Sequence, residues 1–330
     1  MHIAVIARVL GMLLMIFSLT MLSPIIVSSI YEENTSSMFV LAFAITLLVG
    51  LTFWLPTKSH QGELRTRDGF VVTVFFWLVL SGFGSLPLML SEATNLTFID
   101  ALFESVSGLT TTGATVLSGL DDLPKSILYY RQQLQWLGGI GIVVIAVAIL
   151  PMLGIGGMQI YRAETPGPVK DSKLTPRIAE TANVLFKIYL TLTAVCALAY
   201  WAAGMSGFDA IAHSFSTVAI GGFSTHDSSI GYFNSIPIEM IAMFFMFLAG
   251  INFSLHFVAW NNRSLVDYIK DSEFKTYAMV LLSASAIVVI ALSLNSEYGS
   301  TSETLRHSLF QTISIATTTG FTSQNYSNWP

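Results

Sequence analysis

Apolar positions along this chain fall into long unbroken runs, not the stripes of a soluble helix or the alternation of a half-buried strand. Seven runs approach or exceed the roughly 20 residues that a helix needs to cross a bilayer. They cover residues 9–30, 38–55, 70–90, 127–152, 184–204, 237–260 and 276–294. The pattern predicts an all-α membrane protein. The first run is too long for the apolar core of a signal peptide, and no small-x-small cleavage site follows it. It reads as a retained span.

Composition agrees and narrows the class. Of 330 residues, 53% are hydrophobic and 11% charged, under half the roughly 25% charge of a soluble domain. The mean hydropathy is +0.67. The length would suit two soluble domains, but their surface would lack charge. Cys196 is the single cysteine and lies in an apolar run, so there is no disulfide framework or cysteine metal site. A net charge of -5 argues against nucleic acid as partner.

The charges that remain are sorted. With the N-terminus inside, loops 56–69, 153–183 and 261–275 hold Lys58, Arg65, Arg67, Arg162, Lys170, Lys173, Arg177, Arg263, Lys270 and Lys275. Arg8 and Lys187 lie near the inner ends of their spans, and only Lys125, Arg131 and Arg306 fall outside. Twelve of the twenty acids fall outside, so the outer side nets -9 (three bases) and the inner side +4 (twelve bases, eight acids). The positive-inside rule predicts a cytoplasmic N-terminus. The acidic outer side would either gather cations near a mouth or simply be solvated loop.

Three outer segments read alike: DALFESVSGLTTTGAT from Asp100, DAIAHSFSTVAIGGFS from Asp209 and HSLFQTISIATTTGFT from His307. Gly113, Gly222 and Gly320 coincide without gaps, 109 and 98 residues apart, which marks an internal repeat. Each copy follows an apolar span, giving a unit of span, short segment, span. Residues 98–109 would make a helix of about 18 Å, roughly half the hydrocarbon thickness. Thr97 with Asp100, and Ser206 with Asp209, predict its start. In the third copy Thr304 aligns with His307, so the acid moves to Glu303 and a weaker cap is expected. A half-helix followed by extended backbone is a re-entrant loop, tolerated at membrane depth only beside protein or water.

The extended stretches are Thr110 to Gly113, Ala219 to Gly222 and Thr317 to Gly320. Glycine frees the backbone to point consecutive carbonyls one way, and rings of carbonyls replace the hydration shell of a monovalent cation. The negative C-terminal ends of the half-helices add to that attraction. No side-chain charge is needed, since Ile220 and Gly221 offer only backbone oxygens.

These loops resemble potassium-channel filters reduced to one key glycine each, the pattern of the Trk, Ktr and plant HKT cation-transporter superfamily. The stretch WLGGIGIVVIAVAILPMLGIGGMQIYRAETPGPVKDSKLTPRIAETAN from Trp136, and FLAGINFSLHF from Phe247, resemble the TrkH/TrkG-type membrane subunits of bacterial potassium uptake. The resemblance covers essentially the whole chain, and the two spans ahead of the first repeat suit the Trk branch. It implies potassium as substrate, no other cofactor and no enzymatic activity. Potassium would sit on backbone carbonyls of Thr111, Thr112, Ile220, Gly221, Thr318 and Thr319, with Gly113, Gly222 and Gly320 setting the geometry. It further implies a homodimer in the bacterial inner membrane, gated by a TrkA-like cytosolic nucleotide-binding ring on the inner face. A sodium-coupled Ktr-like or sodium-conducting HKT-like transporter is the alternative.

The organisation expected is 1–69, two N-terminal spans and a loop; 70–152, repeat one; 153–183, a cytoplasmic loop; 184–260, repeat two; and 261–330, a linker and partial repeat three. The family has four repeats, so this chain reads as C-terminally truncated within the third.

Other features weigh less. His213 and His307 lie on half-helices, His226 in an outer loop, and His2, His60 and His256 near the inner side. None has ligand spacing with a carboxylate, so structural or surface roles are expected. No phosphate-binding glycine motif follows a strand. Leu137 to Gly141 reads as a close helix contact. Arg131 would pair with Asp121 or Asp122, or snorkel. Thr175-Pro176 reads as the start of the fifth span. The loop between Arg162 and Arg177 is either a docking surface or a linker. Broken-helix transporters would show inverted repeats and midplane charges, whereas these repeats are parallel.

Overall fold

The computed structural model describes residues 3–59, 66–149, 178–295, 298, 300–327 and 329. The Thr175-Pro176 start, the loop between Arg162 and Arg177, and His2 and His60 lie outside the described residues. The chain divides into two compact units. One comprises Met1–Thr110, Thr115–Leu117 and Asp122–Phe186, the other Thr111–Ala114, Ser118–Asp121 and Lys187–Pro330.

In the first unit the helices are α1 (Ile3–Thr20), α2 (Ser23–Ile30), α3 (Ser36–Trp54), α4 (Thr66–Gly84), α5 (Leu86–Leu90), α6 (Phe98–Leu109) and α7 (Lys125–Ile149). α1 lies along α3 and α4, and they share a core of Val9, Leu14, Phe39, Ala42, Val72 and Leu80. The run 9–30 is not one helix. Pro24 sits in the first turn of α2, and lacking an N–H it cannot bond back to the Thr20 carbonyl. That oxygen accepts instead from Ser23 Oγ at 2.9 Å and Gln133 Nε2 at 2.9 Å. Pro87 likewise separates α5 from α4. The expected contact around Leu137 to Gly141 is present: a Cβ on Gly138 would overlap the Leu109 carbonyl, so α7 runs against the end of α6. Gly141, at φ 62°, interrupts α7.

The second unit holds α9 (Gly207–Val218), α10 (Ile236–Ala249), α11 (Phe253–Asn262), α12 (Val266–Lys270), α13 (Ser272–Leu294) and α14 (Thr301–Ala316), with α8 (Ile178–Ala202) entering from residue 187. α14 packs on α13 and α10, and α10 on α9. The run 237–260 breaks at Gly250 to Asn252. His256 Nε2 donates to the Leu248 carbonyl at 3.0 Å across the break, and Tyr268 Oη donates to His256 Nδ1 at 2.7 Å. The histidine thereby adds a second bond to a carbonyl at the helix end that also accepts from the Ile251 N–H at 3.1 Å.

Among the described residues five helical segments are long and apolar enough to cross a membrane: Ile3–Ile30, Ser36–Thr57, Asp68–Leu90, Asn183–Ala202 and Ser272–Leu294. Their outward side chains include Leu48, Leu78, Leu282 and Ile287, all exposed. Such apolar faces suit lipid rather than water.

Candidate functional site

α6, α9 and α14 are the three repeated half-helices, and each begins on a hydroxyl cap. Thr97 Oγ1 accepts from the Asp100 N–H at 3.3 Å, and Ser206 Oγ from the Asp209 N–H at 3.1 Å. The third copy departs from expectation. Its cap is Ser300, which accepts from the Glu303 N–H at 3.2 Å. The hydroxyl-x-x-acid pattern is therefore intact but begins one turn earlier, and α14 has 16 residues where α6 and α9 have 12. The weaker cap expected there is not found.

The turns that follow share one backbone. Each half-helix ends on a residue near φ -80°: Thr110 at -83°, Ala219 at -78° and Thr317 at -81°. The next residue is left-handed, with φ of 54° at Thr111, 48° at Ile220 and 65° at Thr318. Two residues on comes a left-handed glycine, with φ of 79°, 83° and 84° at Gly113, Gly222 and Gly320. A right- to left-handed pair collects N–H groups on one side of the backbone and turns carbonyls to the other. The N–H groups go back to the half-helices. Ile220 N donates to Thr217 O at 3.1 Å and Gly221 N to Ser216 O at 2.8 Å, while Thr318 N donates to Ile315 O at 2.9 Å and Gly320 N to Ser314 O at 3.1 Å.

The three turns also converge. A Cβ on Gly113 would overlap the Gly221 carbonyl oxygen, with Thr319 O 3.4 Å away, and a Cβ on Gly222 would overlap Thr319 O. Only glycine permits these approaches, and positive φ adds a second reason. Gly320 has no neighbour within 4 Å of the same position among the described residues. The chain thus arranges three parallel copies of a strained turn, bare of side chains at the close contacts.

This repeated turn occurs within a stretch, residues 35–330, that matches the TrkH family, described as cation transport proteins. The chain belongs to the TrkH family. It is 57% identical over 330 residues to the Trk system potassium uptake protein TrkH of Halomonas elongata, spanning all of this chain and 68% of the relative. The corresponding protein of Escherichia coli K12 is 51% identical over 330 residues, again with 68% of its length covered. The crystal structure of the potassium transporter TrkH from Vibrio parahaemolyticus superposes with a TM-score of 0.88 at 47% identity, over all of this chain and 68% of that one. The family is one of membrane transporters, not enzymes.

Two supports of this TrkH-family turn were not foreseen. Arg131 is buried, so it does not snorkel. Its Nε donates to Glu104 Oε1 at 2.7 Å, and the two side chains are 1% and 0% exposed. Glu104 also accepts from Thr115 Oγ1 at 2.9 Å and from the Val116 N–H at 3.1 Å. Burying two charges carries a desolvation cost, which the pairing and these further hydrogen bonds offset. The second support is the left-handed conformation of Thr111, Ile220 and Thr318. Sequence reasoning gave the strain to glycine alone, whereas β-branched residues carry it too, at about 1–3 kcal/mol each.

Beside the second turn His226 has carboxylate partners after all, brought in by folding rather than by spacing. Its Nδ1 hydrogen-bonds Asp121, its Nε2 lies 3.4 Å from Asp209, and its ring stacks on Tyr232. Burial disfavours the imidazolium, but the neighbouring Asp209 carboxylate and the hydrogen bond to Asp121 outweigh it and raise the pKa above the usual 6.5. Asp209 is opposed by burial too, yet bonds from His226, Ser206 and Thr225 hold its carboxyl well below the usual range. No metal-binding cluster of His, Cys, Asp and Glu occurs among the described residues.

Proposed function

We propose that this chain is the pore-forming part of a bacterial potassium uptake system, passing potassium through a ring of backbone carbonyls. The ion is held by the carbonyls of Thr111, Thr112, Ile220, Gly221, Thr318 and Thr319, and Gly113, Gly222 and Gly320 permit the turns to approach. The observation that carries this reading is the left-handed residue and left-handed glycine found at the same register in three turns. Amides turned back onto the half-helices leave carbonyls for a cation. Relatives named as potassium uptake proteins support the choice of ion.

The sorting of basic and acidic loops supports insertion in the inner membrane with a cytoplasmic N-terminus. The organisation is two leading spans and a loop over 1–69, repeat one over 70–152, a cytoplasmic loop over 153–183, repeat two over 184–260, and a linker with a partial third repeat over 261–330. A homodimer gated by a TrkA-like cytosolic nucleotide-binding ring follows from the likeness to Trk systems. The test is rubidium uptake into liposomes carrying the full-length protein, with sodium and lithium as competitors. Uptake should continue without sodium and resist sodium competition. A strict sodium requirement would replace this reading with Ktr-like coupling.

A further inference from the structure

The fifth residue of each repeat copy is Glu104, His213 or Gln311, again 109 and 98 residues apart. The three differ in chemistry, yet all are buried, at 0%, 0% and 1% exposure. Each reaches from its half-helix to the limb that leaves the turn. Glu104 takes Thr115 and Val116, as described. His213 Nε2 meets Ser224 Oγ at 2.9 Å, and Ser224 is the register equivalent of Thr115. The Nδ1 of His213 faces the Asp209 carbonyl at 2.9 Å. A carbonyl only accepts, so Nδ1 carries the proton and Nε2 accepts from the serine hydroxyl. Gln311 Nε2 donates to the Gln324 carbonyl at 3.1 Å, while its Oε1 is buried without a partner.

We propose that Glu104, His213 and Gln311 are positioning residues, struts that hold each departing limb off its half-helix and so keep the carbonyl ring from closing on a smaller cation. The inference rests on the filter reading above. The struts are unequal. The first is a carboxylate gripped by a hydroxyl, an amide and a guanidinium, and hydrogen bonds to charged groups are about twice as strong as neutral ones. The second is neutral with a single landing hydroxyl, and the third leaves half its amide unused. The first copy therefore contributes most of the stiffness, and with it most of the discrimination between potassium and sodium.

The test uses the full-length protein in liposomes, reading rubidium uptake and its inhibition by sodium. Glu104→Gln should raise the effectiveness of sodium as a competitor by about tenfold while leaving maximal rubidium flux measurable. Thr115→Val keeps the buried Glu104–Arg131 pair and removes the landing hydroxyl, which also accepts from Arg131 Nη2 and from the Leu117 N–H, each at 3.1 Å, so it decides the question if Glu104→Gln fails to accumulate. It should shift the ratio in the same direction, and Thr115→Ser should restore the parent value. His213→Gln should move the ratio by no more than about threefold. Gly113→Ser serves as the filter control. If it relaxes selectivity but Thr115→Val and Glu104→Gln do not, the strut proposal is wrong and the filter reading stands. If Gly113→Ser also leaves selectivity unchanged, the filter reading falls and the proposal with it.

Discussion

The first and second turns put one backbone on unlike side chains. Thr111 and Gly113 have φ of 54° and 79°, and Ile220 and Gly222 have 48° and 83°. Behind the first lies a buried ion pair, and behind the second a neutral histidine and a serine. What the copies share is therefore main-chain conformation, as expected if carbonyl oxygens are the working groups. What they do not share is the means of support. The two turns should fail differently when their supports are cut.

The largest contrast should come from truncating those supports. Glu104→Ala removes the carboxylate from the buried Arg131 guanidinium, which should destabilise by about 3–5 kcal/mol. His213→Ala removes two neutral hydrogen bonds, to Ser224 Oγ and the Asp209 carbonyl, at about 1–3 kcal/mol. Thermal unfolding in detergent measures both, and equal losses would dissolve the contrast. Next comes Gly222→Ala. It places a Cβ on the Thr319 carbonyl at positive φ and should cost at least about 1–3 kcal/mol, with relaxed selectivity in flux assays.

Smaller and confined to the second turn is a pH effect. Because His226 has a raised pKa, its contribution to stability is fully present below about pH 6.5 and is lost as pH rises through the folded value. The melting temperature of the parent should exceed that of His226→Asn more at pH near 5.5 than near 8.5, and a gap independent of pH would remove the histidine from the account. The smallest effect is Ile220→Gly. Relief of left-handed strain and the greater chain entropy of glycine oppose each other, so stability should stay within about 1 kcal/mol of the parent. Selectivity should be retained, because the proposed filter uses only the Ile220 carbonyl. Loss of selectivity in this variant would show that the side chain matters and that the first and second turns are not equivalent.

Five of the seven long spans were legible because lipid demands unbroken apolar runs, and they fall in helical segments long and apolar enough to cross among the described residues. The internal breaks of the runs were not, although Pro24, Pro87 and Gly250 lay in plain view. A hydropathy run registers solvent preference, not the loss of one N–H. The caps at Thr97 and Ser206 were readable from spacing. Ser300 was missed because a gapless register pointed to Thr304, and the Ser300-x-x-Glu303 pattern itself would have found it. The glycines of the turns were legible as positions with positive φ. The left-handed Thr111, Ile220 and Thr318 were not, since no local preference of a β-branched residue predicts it. Glu104 and Arg131 counted among the charges of the outer side, and only folding shows that they pair with each other in the interior. The lone acid at a helix position whose equivalents are His213 and Gln311 was the available clue.

The central claim is that the three turns present their carbonyls to a dehydrated monovalent cation. Anomalous scattering from rubidium in crystals of the full-length protein tests it most directly. Peaks should lie between the carbonyls of Thr111 and Thr112, Ile220 and Gly221, and Thr318 and Thr319. Rubidium bound elsewhere, with those carbonyls unoccupied, would contradict the account.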